Sequence, residues 1–282
     1  MVMKNRTANS GCLLCGGKRT KMIHKFESLP ESRRGKQKLD IKRCSKCGLI
    51  ATHPPQPNNH WVDKYEGDYW REYQTSIGER RIDERFEEFE MISEERIKFL
   101  HSFYRLLPPP LRFNPHGRFL DVGCSMGFLV KAAQDSGFAD ARGIDPNQQD
   151  VDEGIKRYDV NLAQGYIEDL PGAFADGDTA PVHAYDVIMC FNTIEHVARP
   201  DHLMEEMAKR LKPNGALVVG THDIECENYL GEGVNWKHIK PAEHLYYFSK
   251  DTLNLLGAKY GLRSFWHAKP IENSIVTYFI RG

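Results

Sequence analysis

From residue 111 to the end of the chain, short apolar runs of strand type alternate with amphipathic runs of helical period. No other feature constrains the fold as strongly. The order is "RFLDVG", "FLVKAAQDSG", "ARGIDP", "NQQDVDEGIKRY", "VNLAQG", "YDVIMCFN", "DHLMEEMAKRLKPNG" and "ALVVGTHD". After an irregular stretch come "SKDTLNLLGAKYG", "LRSFWHAK" and "SIVTYFIRG". Strands separated by helices run parallel, and the helices cover both faces of the sheet. The expectation is an α/β fold with a seven-stranded, mostly parallel sheet. Local punctuation agrees with it: the first helix stops at Gly137, the third closes on Pro-Asn-Gly, and the last opens on a Ser249 cap.

A chain of 282 residues has room for one large domain and a small appendage. It contains no run of about 18 apolar residues, so no membrane span is expected. The first residues lack the apolar core of a signal peptide, which makes the cytoplasm the expected location. The seven cysteines are an odd number, and Cys124, Cys190 and Cys226 are scattered through apolar segments, which argues against a disulfide framework.

The other four cysteines form two C-x2-C knuckles, Cys12/Cys15 and Cys44/Cys47, separated by 28 residues. Each knuckle turns two thiolates toward one point, and two knuckles complete a tetrahedral zinc site. With no position left for water, such a zinc is structural, and it supplies folding energy that a unit of about 50 residues cannot draw from its own core. Residues 1–53 are therefore read as a zinc ribbon. A redox dithiol and unpaired core cysteines are the alternatives.

Residues 54–110 read as a helical connector or cap. A proline-rich joint is followed by Tyr65, Tyr69, Trp70 and Tyr73, which either line a substrate cleft or simply pack. Ile82, Phe86, Phe89, Ile97, Leu100, Phe103 and Leu107 then recur at helical steps until "LLPPP" ends the helix. Residues 111–282 form the main domain.

The first strand of that domain runs into a turn of small residues, Asp121-x-Gly123-x-Ser125-x-Gly127. A strand, a tight turn and a helix together present free backbone N–H groups to a ligand. A nicotinamide-binding turn would require G-x-G-x-x-G, and a phosphate loop a Lys-Ser/Thr pair. Neither is present, and an acid at the turn suits an ammonium group better than a phosphate. Asp145, at the end of the second strand and 22 residues after Gly123, is placed to accept hydrogen bonds from both hydroxyls of a ribose. Glu168 and Asp169 follow the third strand, where a carboxylate can meet an adenine amino group.

In this order, "LDVGCSMG", "GIDP", "IEDLP", "YDVIMCFNTIEHVARP" and "LKPNGALVVGT" resemble the class I S-adenosylmethionine (SAM)-dependent methyltransferases. The resemblance covers roughly residues 111–282 and implies a Rossmann-like sheet. Ser125 departs from the glycine that is frequent at its position. The resemblance implies that SAM is held by the Gly123–Gly127 loop together with Asp121, Asp145, Glu168, Asp169 and Asn192. With the N-terminal zinc ribbon included, the layout is similar to sugar C-methyltransferases, and the main domain to ubiquinone-type O-methyltransferases.

Methyl transfer requires an aligned nucleophile and often a base. Glu195/His196, His222/Asp223 and Glu243/His244 all fall after strand ends or in the irregular stretch, where ligands of open α/β sheets gather. The segment "PAEHLYYFS" is similar to the Glu-His segment of sugar C-methyltransferases. That similarity implies His244 as base, oriented by Glu243, with His222 the second choice. His196 is read as cofactor-side or structural. Tyr229, Trp236, Tyr246 and Tyr247 in the same stretch are placed to cap the cleft.

The expected partner is a small-molecule acceptor, a sugar or natural-product-like metabolite methylated on oxygen or activated carbon, and no membrane is implicated. The sequence does not fix the oligomeric state. A second reading keeps the enzyme and makes RNA the substrate: residues 1–50 carry thirteen Lys/Arg against three Asp/Glu, in a chain whose net charge is −1. Against it, four thiolates on zinc add negative charge, and "FNTIEH" stands where a base-nitrogen methylase would carry an Asn-Pro-Pro-Tyr-like motif. A third reading is a non-catalytic SAM-binding protein.

Overall fold

The structure is a computed structural model describing residues 11–26, 38–55, 84–170, 174, 183–268 and 273–282. Tyr65, Tyr69, Trp70, Tyr73 and Ile82 lie outside the described residues.

The N-terminal strands β1 (Thr20–Phe26), β2 (Leu39–Cys44) and β3 (Ile50–His53) pair antiparallel in chain order. Helix α1 (Phe86–Leu106) follows and buries Ser93, Ile97, Leu100 and Phe103 along one stripe. Phe103 reaches Tyr278 at 4.7 Å between ring centroids, which fastens the helix to the main sheet. The helix ends before Pro108, as "LLPPP" requires.

The main domain alternates as expected: β4 (Arg118–Val122), α2 (Phe128–Asp135), β5 (Asp140–Asp145), α3 (Gln148–Tyr158), β6 (Asn161–Gln164), β7 (Tyr185–Phe191), α4 (Pro200–Arg210) and β8 (Leu211–His222). A short helix α5 (Glu227–Glu232), strand β9 (Tyr246–Tyr247), helix α6 (Lys250–Ala258), and strands β10 (Leu262–Ala268) and β11 (Ser274–Arg281) complete it. The sheet has seven strands in the order β6-β5-β4-β7-β8-β11-β10. Strands β4 to β8 are parallel, and β11 and β10 close one edge antiparallel. Strand order reverses between β4 and β7, which opens a crevice at their C-terminal ends. One buried cluster lies on each face: Leu120, Ile188, Leu217 and Phe279 on one, Phe119, Val187, Val218 and Tyr278 on the other.

Two local features differ from the sequence reading. Helix α4 stops at Arg210, and β8 begins at Leu211, ahead of the "ALVVGTHD" run. Pro213 drives the residue before it out of the helical region, and Arg281 Nη1 donates to the Ala208 and Leu211 carbonyls (both 2.7 Å), capping the helix end from the last strand. Strand β9 has no counterpart in the sequence reading. It pairs with β3, matching Ile50 with Tyr247 and Ala51 with Tyr246, so the N-terminal sheet takes its fourth strand from the capping segment. Ile41 and Ile50 pack with Ile224, Cys226, Trp236 and Tyr247 in one small core.

Candidate functional site

Three groups of side chains bear on function. In the N-terminal module, Cys12 Sγ lies 3.6 Å from Cys47 Sγ and Cys15 Sγ 3.5 Å from Cys44 Sγ. All four sulfurs lie within 4.8 Å of one another. Sulfurs about 2.3 Å from a tetrahedral zinc are spaced by roughly 3.8 Å, so donor set and spacing both fit that ion. In the knuckles, Gly16 N donates to Cys12 O (2.7 Å) and Gly48 N to Cys44 O (3.0 Å), fixing each turn.

The second group lines the crevice. After β4, Gly123 (φ 78°) and Gly127 (φ 76°) take left-handed conformations, and a Cβ on Gly123 would run into Thr193 Oγ1. Ser125 is also left-handed (φ 47°), a strained state for a non-glycine residue, and it is held from several sides. Its N–H donates to Asp145 Oδ2 (2.8 Å) and its hydroxyl to Asp150 Oδ2 (3.0 Å). Asn147 N donates to Asp145 Oδ1 (2.9 Å), and the Asn147 side chain caps α3. Each Asp145 oxygen thus keeps a lone pair beyond the bond it already accepts. Burial pushes the Asp145 carboxyl up to about 6.

This open cleft has a cavity volume of about 130 Å³ and is lined by Asp121, Gly123, Ser125 and Asn192, with Phe89, Ser93 and Arg96 contributed by α1. Asn192 is left-handed (φ 50°) where the chain leaves β7, and its N–H donates to Gly220 O (2.9 Å). Asp121 is 5 % exposed, and burial raises its carboxyl to about 7 despite the opposing Arg96 charge. The Arg96 guanidinium lies over the Phe191 ring at 3.9 Å, and burial lowers it to about 10. Glu168 and Asp169 are exposed on a 3-10 turn after β6, and Asp169 Oδ2 accepts from Tyr166 N (2.7 Å).

The third group lies where β7 and β8 end. Glu195 is 2 % exposed and His244 4 %. His222 ends β8 and stacks on His238 at 3.6 Å between centroids. His244 lies 5.3 Å from His222 and 4.8 Å from His196 between ring centroids. Nδ1 of His244 meets the His238 carbonyl at 2.8 Å. That contact requires Nδ1–H as donor and leaves the Nε2 lone pair free. Glu243 is buried, and its carbonyl meets His196 Nδ1 at 3.2 Å. Burial drives His222 down to about 3, His238 to about 4 and His244 well below the usual imidazole range, while it raises Glu195 to about 7. The imidazoles are therefore neutral at physiological pH. Trp236, beside His238 at 5.0 Å, and Tyr247 are buried around them, whereas Tyr229 and Tyr246 are partly buried.

Arg96, Asp150 and His238 escaped the sequence reading. Arg96 carries one legible signal, since it stands seven residues after Phe89 and three after Ser93 on a single helical face. Asp150 and His238 enter their sites only through tertiary packing.

Among the described residues, no helix is long and apolar enough to cross a membrane. The profile of a family described as a methyltransferase domain matches residues 92–265. A ubiquinone biosynthesis O-methyltransferase of Vibrio cholerae is 29 % identical over 114 residues, which are 40 % of this chain and 45 % of that protein. The chain thus spans about half the length of the first curated relatives it matches. The Photobacterium profundum enzyme of the same name is 23 % identical over 58 % of this chain and 77 % of its own. Among solved structures, magnesium protoporphyrin IX methyltransferase of Synechocystis with bound SAH superposes with a TM-score of 0.56 at 12 % identity, covering 78 % of this chain and 98 % of that one. A SAM-dependent methyltransferase of Thermotoga maritima gives 0.50 at 19 % identity, over 79 % and 99 %. At these identities the two structures establish a shared fold.

Proposed function

The chain belongs to the methyltransferase domain family, and on that premise we propose that it transfers a methyl group from SAM to an oxygen or activated carbon of a small metabolite. The observation that carries this reading is the locked turn: Ser125 tied to Asp145 and Asp150, facing a cleft that Asp121 and Arg96 both line.

When bound, SAM supplies an electrophilic sulfonium methyl group. Asp145 is held by two backbone N–H groups with lone pairs to spare, and it is the residue suited to the ribose hydroxyls. Asp121 offers a carboxylate to the ammonium of the amino-acid portion, and Arg96 offers a guanidinium to its carboxylate. Gly123, Ser125, Gly127 and Asn192 shape the floor, with Glu168 and Asp169 at the adenine end. The aromatic rings of Phe89 and Phe128, stacked at 5.4 Å, exclude water beside the reacting end.

The acceptor faces the histidine group. His244 is the base of this reading, because its tautomer presents an unprotonated Nε2; His222 stands beside it, and the His238 carbonyl orients its ring, the part expected of the buried Glu243. Zinc in the four-cysteine site holds the N-terminal module together, and strand β3 in turn holds the segment that bears His244. Support for a small acceptor comes from that arrangement, since β3 spends its free edge on the cap of the cleft. The division into residues 1–53, 54–110 and 111–282 is part of this proposal, with β3 bracing the acceptor side and α1 lining the cofactor side.

Titration calorimetry with S-adenosylhomocysteine tests the cofactor side, and transfer of labelled methyl from SAM to a panel of hydroxylated metabolites tests the acceptor side. No heat of binding would end the methyltransferase reading. Methylation of RNA retained by residues 1–60 would replace the small acceptor.

A further inference from the structure

Glu195 brings a carboxylate into the core, 2 % exposed, where no lysine or arginine pairs with it among the described residues. The nearby Thr221 hydroxyl, also buried, is the side-chain donor placed toward it, but no bond of ordinary geometry joins the two. A carboxylate in that state calls for a cation or a proton. Two imidazoles converge on it: one ligand atom each from Glu195, His222 and His244 lies within 4.8 Å of the others. Donors about 2.1 Å from a common ion stand roughly 3.0–3.5 Å apart, so small side-chain rotations close the set.

The supports are those of a metal site. Glu195 sits on the turn after β7, His222 is the last residue of β8, and His244 leads into β9. The Nδ1–H of His244 donates to the His238 carbonyl, the outer-shell bond that metal-ligating imidazoles make, and it leaves Nε2 as the donor. The His238 ring, stacked at 3.6 Å, fixes the plane of His222. Two neutral imidazoles and one carboxylate suit a borderline divalent ion such as Zn²⁺, Co²⁺ or Mn²⁺ more than an all-oxygen cation. Three protein donors leave at least one position open.

We propose that Glu195, His222 and His244 bind one divalent transition-metal ion, whose open position takes an oxygen of the methyl acceptor. This rests on the acceptor-side reading above and changes one role in it: with the ion bound, His244 is a ligand and no longer the base. With the ion bound, the acceptor hydroxyl loses its proton to solvent while its oxygen stays on the cation, and the imidazoles hold the ion instead of taking the proton. The acceptors selected are those with a hydroxyl beside a second oxygen, which can chelate.

The test counts metal in the full-length chain after loading with Co²⁺ or Zn²⁺ and desalting. About two ions per chain are expected in the wild type, one at the cysteines and one here, and about one in E195Q and in H222Q. With Co²⁺, thiolate charge-transfer absorption reports the cysteine site separately and should be the same in all three proteins. H222Q changes a side chain less buried than Glu195 and serves if E195Q misfolds, with folding checked by circular dichroism. One ion in the wild type, or two retained in a folded H222Q, would overturn the proposal. S-adenosylhomocysteine binding is measured on the same samples. Its persistence beside a missing second ion removes the metal site alone and leaves His244 as an imidazole base, whereas its loss in the wild type removes the methyltransferase reading.

Discussion

Thr52 and His244, 192 positions apart in sequence, are joined by a buried hydrogen bond in which the Thr52 hydroxyl donates to the His244 carbonyl at 3.1 Å. The Thr52 N–H adds a second bond, to Leu245 O at 2.9 Å. The N-terminal module therefore acts as a splint on the backbone that carries the proposed base.

Replacing Thr52 with Val keeps the shape and the backbone N–H but removes the hydroxyl. The His244 carbonyl then loses a bond of about 1 kcal/mol. Turnover should fall several-fold while S-adenosylhomocysteine affinity stays the same, which steady-state kinetics and calorimetry together measure. An equal loss in both would contradict a positioning role.

The Asp121 carboxyl, raised by burial to about 7, is protonated in the unliganded protein below that pH. A cofactor ammonium is bound better by the carboxylate than by the acid, so affinity for SAM should weaken as pH falls from 8 to 6. In D121N affinity should be lower and nearly flat over the range. Stability runs the other way: the folded state holds a proton that the unfolded state releases near pH 4, so the unliganded wild type loses stability as pH rises from about 4 to 7. D121N should lack that slope in urea titrations.

Gly123→Ala places a Cβ against Thr193 at a residue of φ 78°. The conformation alone costs about 1–3 kcal/mol. The variant should melt several degrees lower and bind SAM poorly. Gly231→Ala, where a Cβ meets nothing within 4 Å, is the control and should change neither property.

His244→Ala should lower methyl transfer by about 10²–10⁴-fold with cofactor affinity preserved, as expected for loss of a group that faces the acceptor. His196→Ala, whose ring meets the Glu243 carbonyl at 3.2 Å, should act more weakly and through stability. Comparable turnover losses in both variants, measured under saturating SAM, would refute His244 as the base.

The sheet was legible because its signal is local. "YDVIMCFN" is apolar at nearly every position, as a strand covered on both faces must be, and it became β7. The turn at Gly123 was legible because left-handed backbone selects small residues. Helix α4 and strand β8 met at an unexpected residue because Arg281, some 70 positions downstream, caps the junction. The acceptor side was only half legible. Glu195, His222 and His244 all appeared among the candidates, but their convergence depends on how β7, β8 and β9 are stacked, and periodicity says nothing of that. His238 was invisible for a related reason, since a histidine in an aperiodic loop looks like surface, and Arg96 showed only through its place on the helical face of Phe89 and Ser93.

Strand β9 also has a bearing on how the chain is made. Strands β1 to β3 leave the ribosome well before β9, so the edge of β3 stays open until residues 246 and 247 have been synthesised. At roughly 5–20 residues per second, that interval is on the order of 10 to 40 seconds. Throughout it, an unpaired strand edge is exposed and competent to pair with another chain. The cysteine cluster can assemble early, but completion of this sheet waits for β9. Conditions that slow elongation should therefore aggregate this protein through its first fifty residues, although its largest hydrophobic surfaces lie elsewhere.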